Sequence, residues 1–179
     1  MDEKELIKRA LSNREAFNEI VNLYYHEVFS YIYKRTLNKE DAKDLTQETF
    51  LKALKYLNSF KGNCPLVFWI LRIATNVIND HFNREIKNSK LMKKLSSILS
   101  GEPSTSPDDF SDYTFLHKYI RELPPAQQTV ITLIHFENRS MKEAALINGS
   151  SVSRTRRIYH AALDSLRKKM EEDVKNFKI

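Results

Sequence analysis

The residues best suited to chemistry lie late in the chain: Ser151, Ser153, Arg154, Arg156, Arg157 and His160 follow closely after Gly149. Ser151 is placed to cap a helix starting there. Val152, Thr155, Tyr159, Ala162 and Leu166 alternate spacings of three and four, which predicts one buried stripe. Ser153, Arg154, Arg156, Arg157 and His160 then project from the opposite face. Arginine at the start of such a helix can pair bidentately with guanine O6 and N7, each pair giving about 1–3 kcal/mol of discrimination. Arg167, Lys168 and Lys169 stand further along and suit phosphates. A short helix capped by Ser140, a glycine turn and a longer helix form the helix-turn-helix signature. A basic surface helix is the plainer reading, but the turn spacing and the crowding of arginine favour DNA.

A second constellation spans Asp41 to Arg84, where two helical patterns flank the break Lys61-Gly62-Asn63-Cys64-Pro65. The first pattern starts acidic, with Asp41, Asp44, Gln47 and Glu48 mostly opposite Leu45, Phe50, Ala53, Leu54 and Leu57. The second buries Ile70, Ile73, Ala74, Val77 and Phe82, leaving Arg72, Thr75, Asn76, Asn79, Asp80 and Arg84 able to reach outward. Trp69 and Asn76 are spaced to share a face. An indole can stack on an unpaired base while an asparagine bonds to a base edge. On spacing alone, Trp69 fits the core better.

Enzymatic and metal chemistry find no footing. His26, His81, His117, His135 and His160 lack metal-ligand spacing with one another or with Cys64. There is no glycine-rich phosphate loop and no nucleophile elbow. We therefore expect no cofactor, no metal, no small-molecule substrate and no enzyme. A net charge of +6 over 179 residues favours an anionic partner. The single cysteine excludes an intrachain disulfide and fits a reducing cytoplasm. Met1-Asp2-Glu3-Lys4-Glu5 lacks the apolar run of a secretory leader, and stretches such as Leu66 to Leu71 are far too short to span a bilayer.

The elements positioning these residues are helical, because the 3 Gly and 5 Pro fall where helices would need to break. Residues 3–13 predict a first amphipathic helix with Leu6, Ile7, Ala10 and Leu11 on one side. Arg14 to Thr36 predicts a second, with Phe17, Ile20, Val21, Tyr24, Val28, Tyr31 and Ile32 inward. Asn38 should cap the acidic helix, and another should start at Pro65. Ser100 to Asp109 has linker composition. Beyond it, Phe115 to Ile120 patterns one helix and Ala126 to Phe136 another, ahead of the two around Gly149.

These residues resemble the extracytoplasmic-function (ECF, group 4) sigma factors of bacterial RNA polymerase, over nearly the whole chain. Asp41-Ala42-Lys43-Asp44-Leu45-Thr46-Gln47-Glu48-Thr49-Phe50 is similar to the family's D-A-E-D-x-x-Q-E-x-F segment. Trp69-Ile70-Leu71-Arg72-Ile73-Ala74-Thr75-Asn76 resembles W-L-x-R-I-A-x-N. Leu123-Pro124 through Phe136 looks like L-P-x-x-x-R-x-V-x-x-L, and Ser140 to Leu166 aligns with the final helix-turn-helix. The resemblance implies an all-α fold of two small helical domains. A sigma region 2-like bundle (1–86) and a region 4-like helix-turn-helix domain (112–179) would be joined by a flexible linker (87–111).

It further implies that Asp41, Asp44, Leu45, Gln47, Glu48, Phe50 and Leu51 dock on core polymerase at the β′ clamp helices, with the β flap as a further contact. Lys61, Asn63, Trp69, Arg72, Asn76, Asn79 and Arg84 would meet the −10 element of promoter DNA. Ser151, Ser153, Arg154, Arg156, Arg157, His160, Arg167 and Lys168 would meet the −35 element. The usual regulator is an anti-sigma factor, often membrane-bound, which would hold an otherwise cytoplasmic chain at the membrane. Departures stand at Thr75 and Gln128, where the family often has Arg, at Asn148, at Arg154-Thr155 and at Ile158. They make the −35 preference this chain's own. The rival readings are a stand-alone operator-binding regulator using only 112–179, and a polymerase-associated regulator that has lost promoter melting.

Overall fold

In a computed structural model, residues 3–99 and 112–176 are described, and among them there is no strand. Helix α1 (Glu3–Ser12) is followed by a short 3-10 turn at Arg14–Ala16, α2 (Phe17–Thr36) and α3 (Lys39–Tyr56). After the Lys61–Pro65 break comes α4 (Leu66–Leu99), which continues past Ile86. The C-terminal part contains α5 (Asp112–Arg121), α6 (Pro125–Ile131), α7 (Met141–Asn148) and α8 (Val152–Asn176). The predicted helix over 126–136 is α6 plus a wider turn at Thr132–Phe136, where Glu137 N donates to Thr132 O. No described helix is long and apolar enough to cross a membrane.

Local chemistry sets the boundaries. Asn38 accepts hydrogen bonds from the Glu40 and Asp41 amides, so α3 begins there with its acids in the positive first turn. Asn13, however, caps the 3-10 turn through the Glu15 amide, so α2 itself starts only at Phe17. Pro125 occupies the first turn of α6, where its missing N–H costs nothing. Ser140 and Glu143 form a reciprocal capping box on α7.

Helices α1 to α4 pack around Ile20, Val28, Tyr31, Ile32, Ala53, Ile70 and Val77. Tyr31 reaches across to α4. Thr75 Oγ1 donates to Leu71 O at 2.9 Å, so the Tyr31 hydroxyl must donate the 2.9 Å bond to Thr75. A second cluster holds Tyr119, Ile120, Leu123, Ile131, Ala162 and Leu166, and Tyr119 Oη ties α5 to Asp173 of α8 at 2.6 Å. The two halves also touch. Leu133, Ala144 and Ile147 belong to the first cluster, which places α7 against α4.

Candidate nucleic-acid interface

The helix-turn-helix forms around Gly149, whose φ of 65° is a left-handed conformation that a side chain disfavours. Ser151 Oγ accepts from the Arg154 amide at 3.2 Å and so caps α8. Ser153, Arg154, Arg156, Arg157 and His160 are all exposed on one side of α8, while Thr155 and Ala162 are buried on the other. Arg167 and Lys168 are exposed too, whereas Lys169 is engaged with Glu122.

The turn carries a network that spacing did not reveal. Thr155 Oγ1 donates to Ser151 O at 3.0 Å, so Ser150 Oγ donates to Thr155 at 2.7 Å. Asn148 Nδ2 donates weakly to Ser150 Oγ at 3.4 Å. Two residues that depart from the resembled pattern, Asn148 and Thr155, are thus linked through Ser150. Three polar residues crowding one glycine were the only signal in the sequence.

On α3, Asp41, Asp44, Glu48 and Leu51 fall within an arc of about 80° for 3.6 residues per turn, with Gln47 alongside. Leu51 is 67% exposed, a large apolar side chain amid acids. Leu45 and Phe50, grouped with this face from the sequence, are 4% and 6% exposed. Their side chains lie in the core of α1–α4, because an amphipathic helix must spend that stripe on its own bundle. They support the face from beneath. Glu48 pairs with Lys52 at 2.8 Å and lies 3.7 Å from Arg84. Asp41 lies 3.9 Å from His81, itself 3.6 Å from Glu85, a three-residue grouping that spacing along the chain does not bring together.

The third set is split by the fold. Lys61 and Asn63 are exposed in the loop, and Asn76 is exposed on α4. Trp69 is half-buried, its ring 5.4 Å from Phe60, so it packs inward while keeping an accessible edge. Asn79 Oδ1 is buried without a hydrogen-bond partner among the described residues. Arg84, which bonds weakly to Asp80 O, sits with Glu48 and is removed from the Trp69 end of the helix. Thr75 does not reach outward as expected. It is 4% exposed, held by Tyr31 and its own helix. Arg72 is turned toward the other half, where Nη2 donates to Leu146 O.

Comparison with known proteins matches residues 20–87 to sigma-70 region 2 and residues 119–168 to sigma-70 region 4. The RNA polymerase sigma factor YlaC of Bacillus subtilis is 29% identical over 89% of this chain and 95% of its own length. The ECF RNA polymerase sigma factor BldN of Streptomyces coelicolor is 30% identical over 96% of this chain and 67% of its own. Among solved structures, CnrH in complex with the cytosolic domain of CnrY aligns with a TM-score of 0.64 at 22% identity, covering 94% of this chain and 96% of that one. RpoE in complex with the anti-sigma factor NepR from Bartonella quintana aligns at 0.59 and 20% identity, covering 87% and 96%. The structural likenesses establish the fold, and the family is not one known for enzymatic activity. With both regions matched in order and a relative 30% identical across almost the whole chain, the protein belongs to the ECF sigma factors of RNA polymerase and has sigma factor function.

Proposed function

We propose that this sigma factor recruits core RNA polymerase through α3 and reads a promoter at two places. In this reading, α8 binds the −35 element as duplex, while α4 and the loop before it hold unpaired bases of the −10 element. The observation that carries it is the exposure of Ser153, Arg154, Arg156, Arg157 and His160 along the start of a helix that opens from a left-handed glycine turn. A helix so placed can offer its N-terminal side chains to base edges in the major groove. Asp41, Asp44, Gln47, Glu48 and Leu51 supply an acidic face with an apolar centre for the β′ clamp helices, and the β flap is a further contact.

Melting follows from differential binding. Lys61, Asn63, Trp69 and Asn76 engage bases only once they are unstacked, and a ligand that binds one state better shifts the equilibrium toward it. Unstacking costs a few kcal/mol, which these contacts and polymerase together offset. The division proposed is 1–86 for polymerase and −10 DNA, 112–179 for −35 DNA, and 87–111 as the linker. No catalytic step, cofactor, metal or small-molecule substrate is involved. The chain works in the cytoplasm under an anti-sigma factor, which can itself be membrane-bound.

Transcription in vitro with core polymerase and a library of promoter fragments tests this. Stimulated, promoter-specific initiation is expected. Duplex binding with no stimulation on any fragment would leave the operator-binding reading instead.

A further inference from the structure

Asp41, His81 and Glu85 come together where α4 meets the start of α3, and neither His81 nor Glu85 has a part in the proposed function. His81 Nε2 lies 3.9 Å from Asp41 Oδ2 and 3.6 Å from Glu85 Oε1, and one side-chain nitrogen or oxygen from each residue falls within 4.8 Å of the others. Both separations are too long for hydrogen bonds. The backbone beneath these groups is fixed. Asp41 stands in the first turn of α3, where its amide donates to Asn38 Oδ1 at 3.2 Å. His81 and Glu85 are four residues apart on α4 and so share a face. Ala42, Val77 and Ile78 are fully buried in the core that the two helices share.

The charges in this group are out of balance. The chain carries 29 Lys and Arg and a net charge of +6, yet among the described residues neither Asp41 nor Glu85 pairs with a lysine or arginine. Arg84, next to Glu85 in the chain, lies 3.7 Å from Glu48 instead. Two neighbouring carboxylates are thus left with one imidazole as their partner, and a divalent ion supplies the missing positive charge. Around zinc, with bonds of about 2.1 Å, tetrahedral ligand atoms stand about 3.4 Å apart. The two nitrogen–oxygen separations here come within about half an ångström of that value, which small rotations of the carboxylates close. The His81 side chain is 19% exposed, against 38% for Asp41 and 51% for Glu85. The nitrogen therefore sits at the base and the oxygens at the rim, with the outer position left to water. One imidazole and two carboxylates without a thiolate suit Zn2+ or a similar first-row ion better than Cu(I), and better than Mg2+ or Ca2+, which favour oxygen alone.

We propose that Asp41, His81 and Glu85 bind a divalent transition-metal ion such as Zn2+, and that the bound ion weakens docking on core polymerase. Promoter reading itself uses no metal; the ion regulates it. Histidine spacing along the chain speaks only for sites built from histidines and Cys64, whereas this one takes its oxygens from two helices. The regulation follows from Asp41, which belongs to the acidic arc of α3. A carboxylate bonded to a dication no longer presents its negative charge to a partner, so the arc loses its acid at that end. By linkage, polymerase that needs Asp41 free must weaken the hold on the ion by the same factor. The regulatory step rests on the docking role proposed for α3, and the metal site does not.

Calorimetric titration of the untagged full chain with Zn2+ tests the site. A single ion per chain is expected, and excess Mg2+ should not displace it. His81→Gln and Glu85→Gln should each weaken binding by about tenfold or more, while Cys64→Ser should leave it unchanged. A pull-down on core polymerase with and without Zn2+ then reads the regulation. The ion should lower wild-type affinity by about fivefold or more and leave His81→Gln unaffected, which controls for any action of zinc on polymerase itself. Zinc binding that survives both substitutions, or that Mg2+ displaces, would overturn the site and leave the docking face as proposed. Zinc bound at these residues with unchanged core affinity would refute the regulation and remove Asp41 from the docking face. Should His81→Gln lose helicity, Glu85→Gln on an exposed side chain gives the same decision.

Discussion

The two ends of the α8 surface should fail in different ways when their charges are removed. Arg156 lies near the start of the helix and Arg167 about 16 Å further along its axis at ~1.5 Å per residue. Both are exposed. If Arg156 reads a base edge, Arg156→Ala should cost about 1–3 kcal/mol against the preferred −35 duplex. That is roughly 5- to 150-fold in affinity at ~1.4 kcal/mol per decade, with little effect on random duplex beyond its one charge. If Arg167 and Lys168 touch phosphates, Arg167→Ala with Lys168→Ala should weaken specific and random duplex alike. Each phosphate contact contributes about −0.9 to the slope of log K against log salt, so two lost contacts reduce the slope by about 1.8. Between 50 and 200 mM salt the gap between wild type and that variant should therefore narrow by about twelvefold. Fluorescence anisotropy over a salt series, with a selected −35 duplex and a scrambled one, measures both quantities. Equal losses on the two duplexes for Arg156→Ala would refute base reading. An unchanged slope for the double variant would refute phosphate contact.

Asp44→Arg should abolish binding to core polymerase, since Asp44 is exposed at the centre of the acidic arc, while leaving −35 duplex binding intact. Unchanged core affinity in a pull-down would show that the docking face lies elsewhere. Ile147 is fully buried where α7 meets the first bundle, so Ile147→Ala should cost about 2–5 kcal/mol in denaturant unfolding. A cost below about 1 kcal/mol would mean that the site is not enclosed. Ser140→Ala removes the side-chain half of the α7 capping box and should lower stability by about 0.5–2 kcal/mol in the same assay. His117 is buried against Phe136, and burial together with Arg121 lowers its pKa. A His with a depressed folded value contributes stability present above its unfolded value near 6.5, lost as pH falls through the folded value. The thermal midpoint should fall over that window in wild type and less in His117→Gln. Parallel pH profiles would contradict the assignment.

Much of this molecule is determined by local sequence. The capping residues Asn38, Ser140 and Ser151 mark helix starts because their side chains bond amides only two or three positions away. Gly149 marks the turn between α7 and α8 because its backbone needs a positive φ. The arginines after it must be exposed once Thr155 and Ala162 are committed to the core, a consequence of helical periodicity alone. The same periodicity gives the acidic arc of α3, although a motif shared by a family does not separate Leu45 and Phe50, which are buried, from Leu51, which is exposed.

Tertiary structure decided what depends on groups far apart in the chain. Thr75 looked free to point outward until Tyr31, from another helix, supplied a hydroxyl and a packed wall. Trp69 found Phe60, and Arg84 found Glu48, neither of which helical spacing on α4 could indicate. Above all, the covering of Arg72 by Leu146 and Gly149, and the burial of Arg35 against Gln128 and Thr129, join residues of two halves separated by a linker. Hydrogen bonds and ion pairs act over a few ångströms, and no periodicity encodes which distant surface will come within that reach. The sequence alone therefore specifies the basic face of α8 and the acidic arc of α3, and the packing of one half on the other determines which side chains between them are covered.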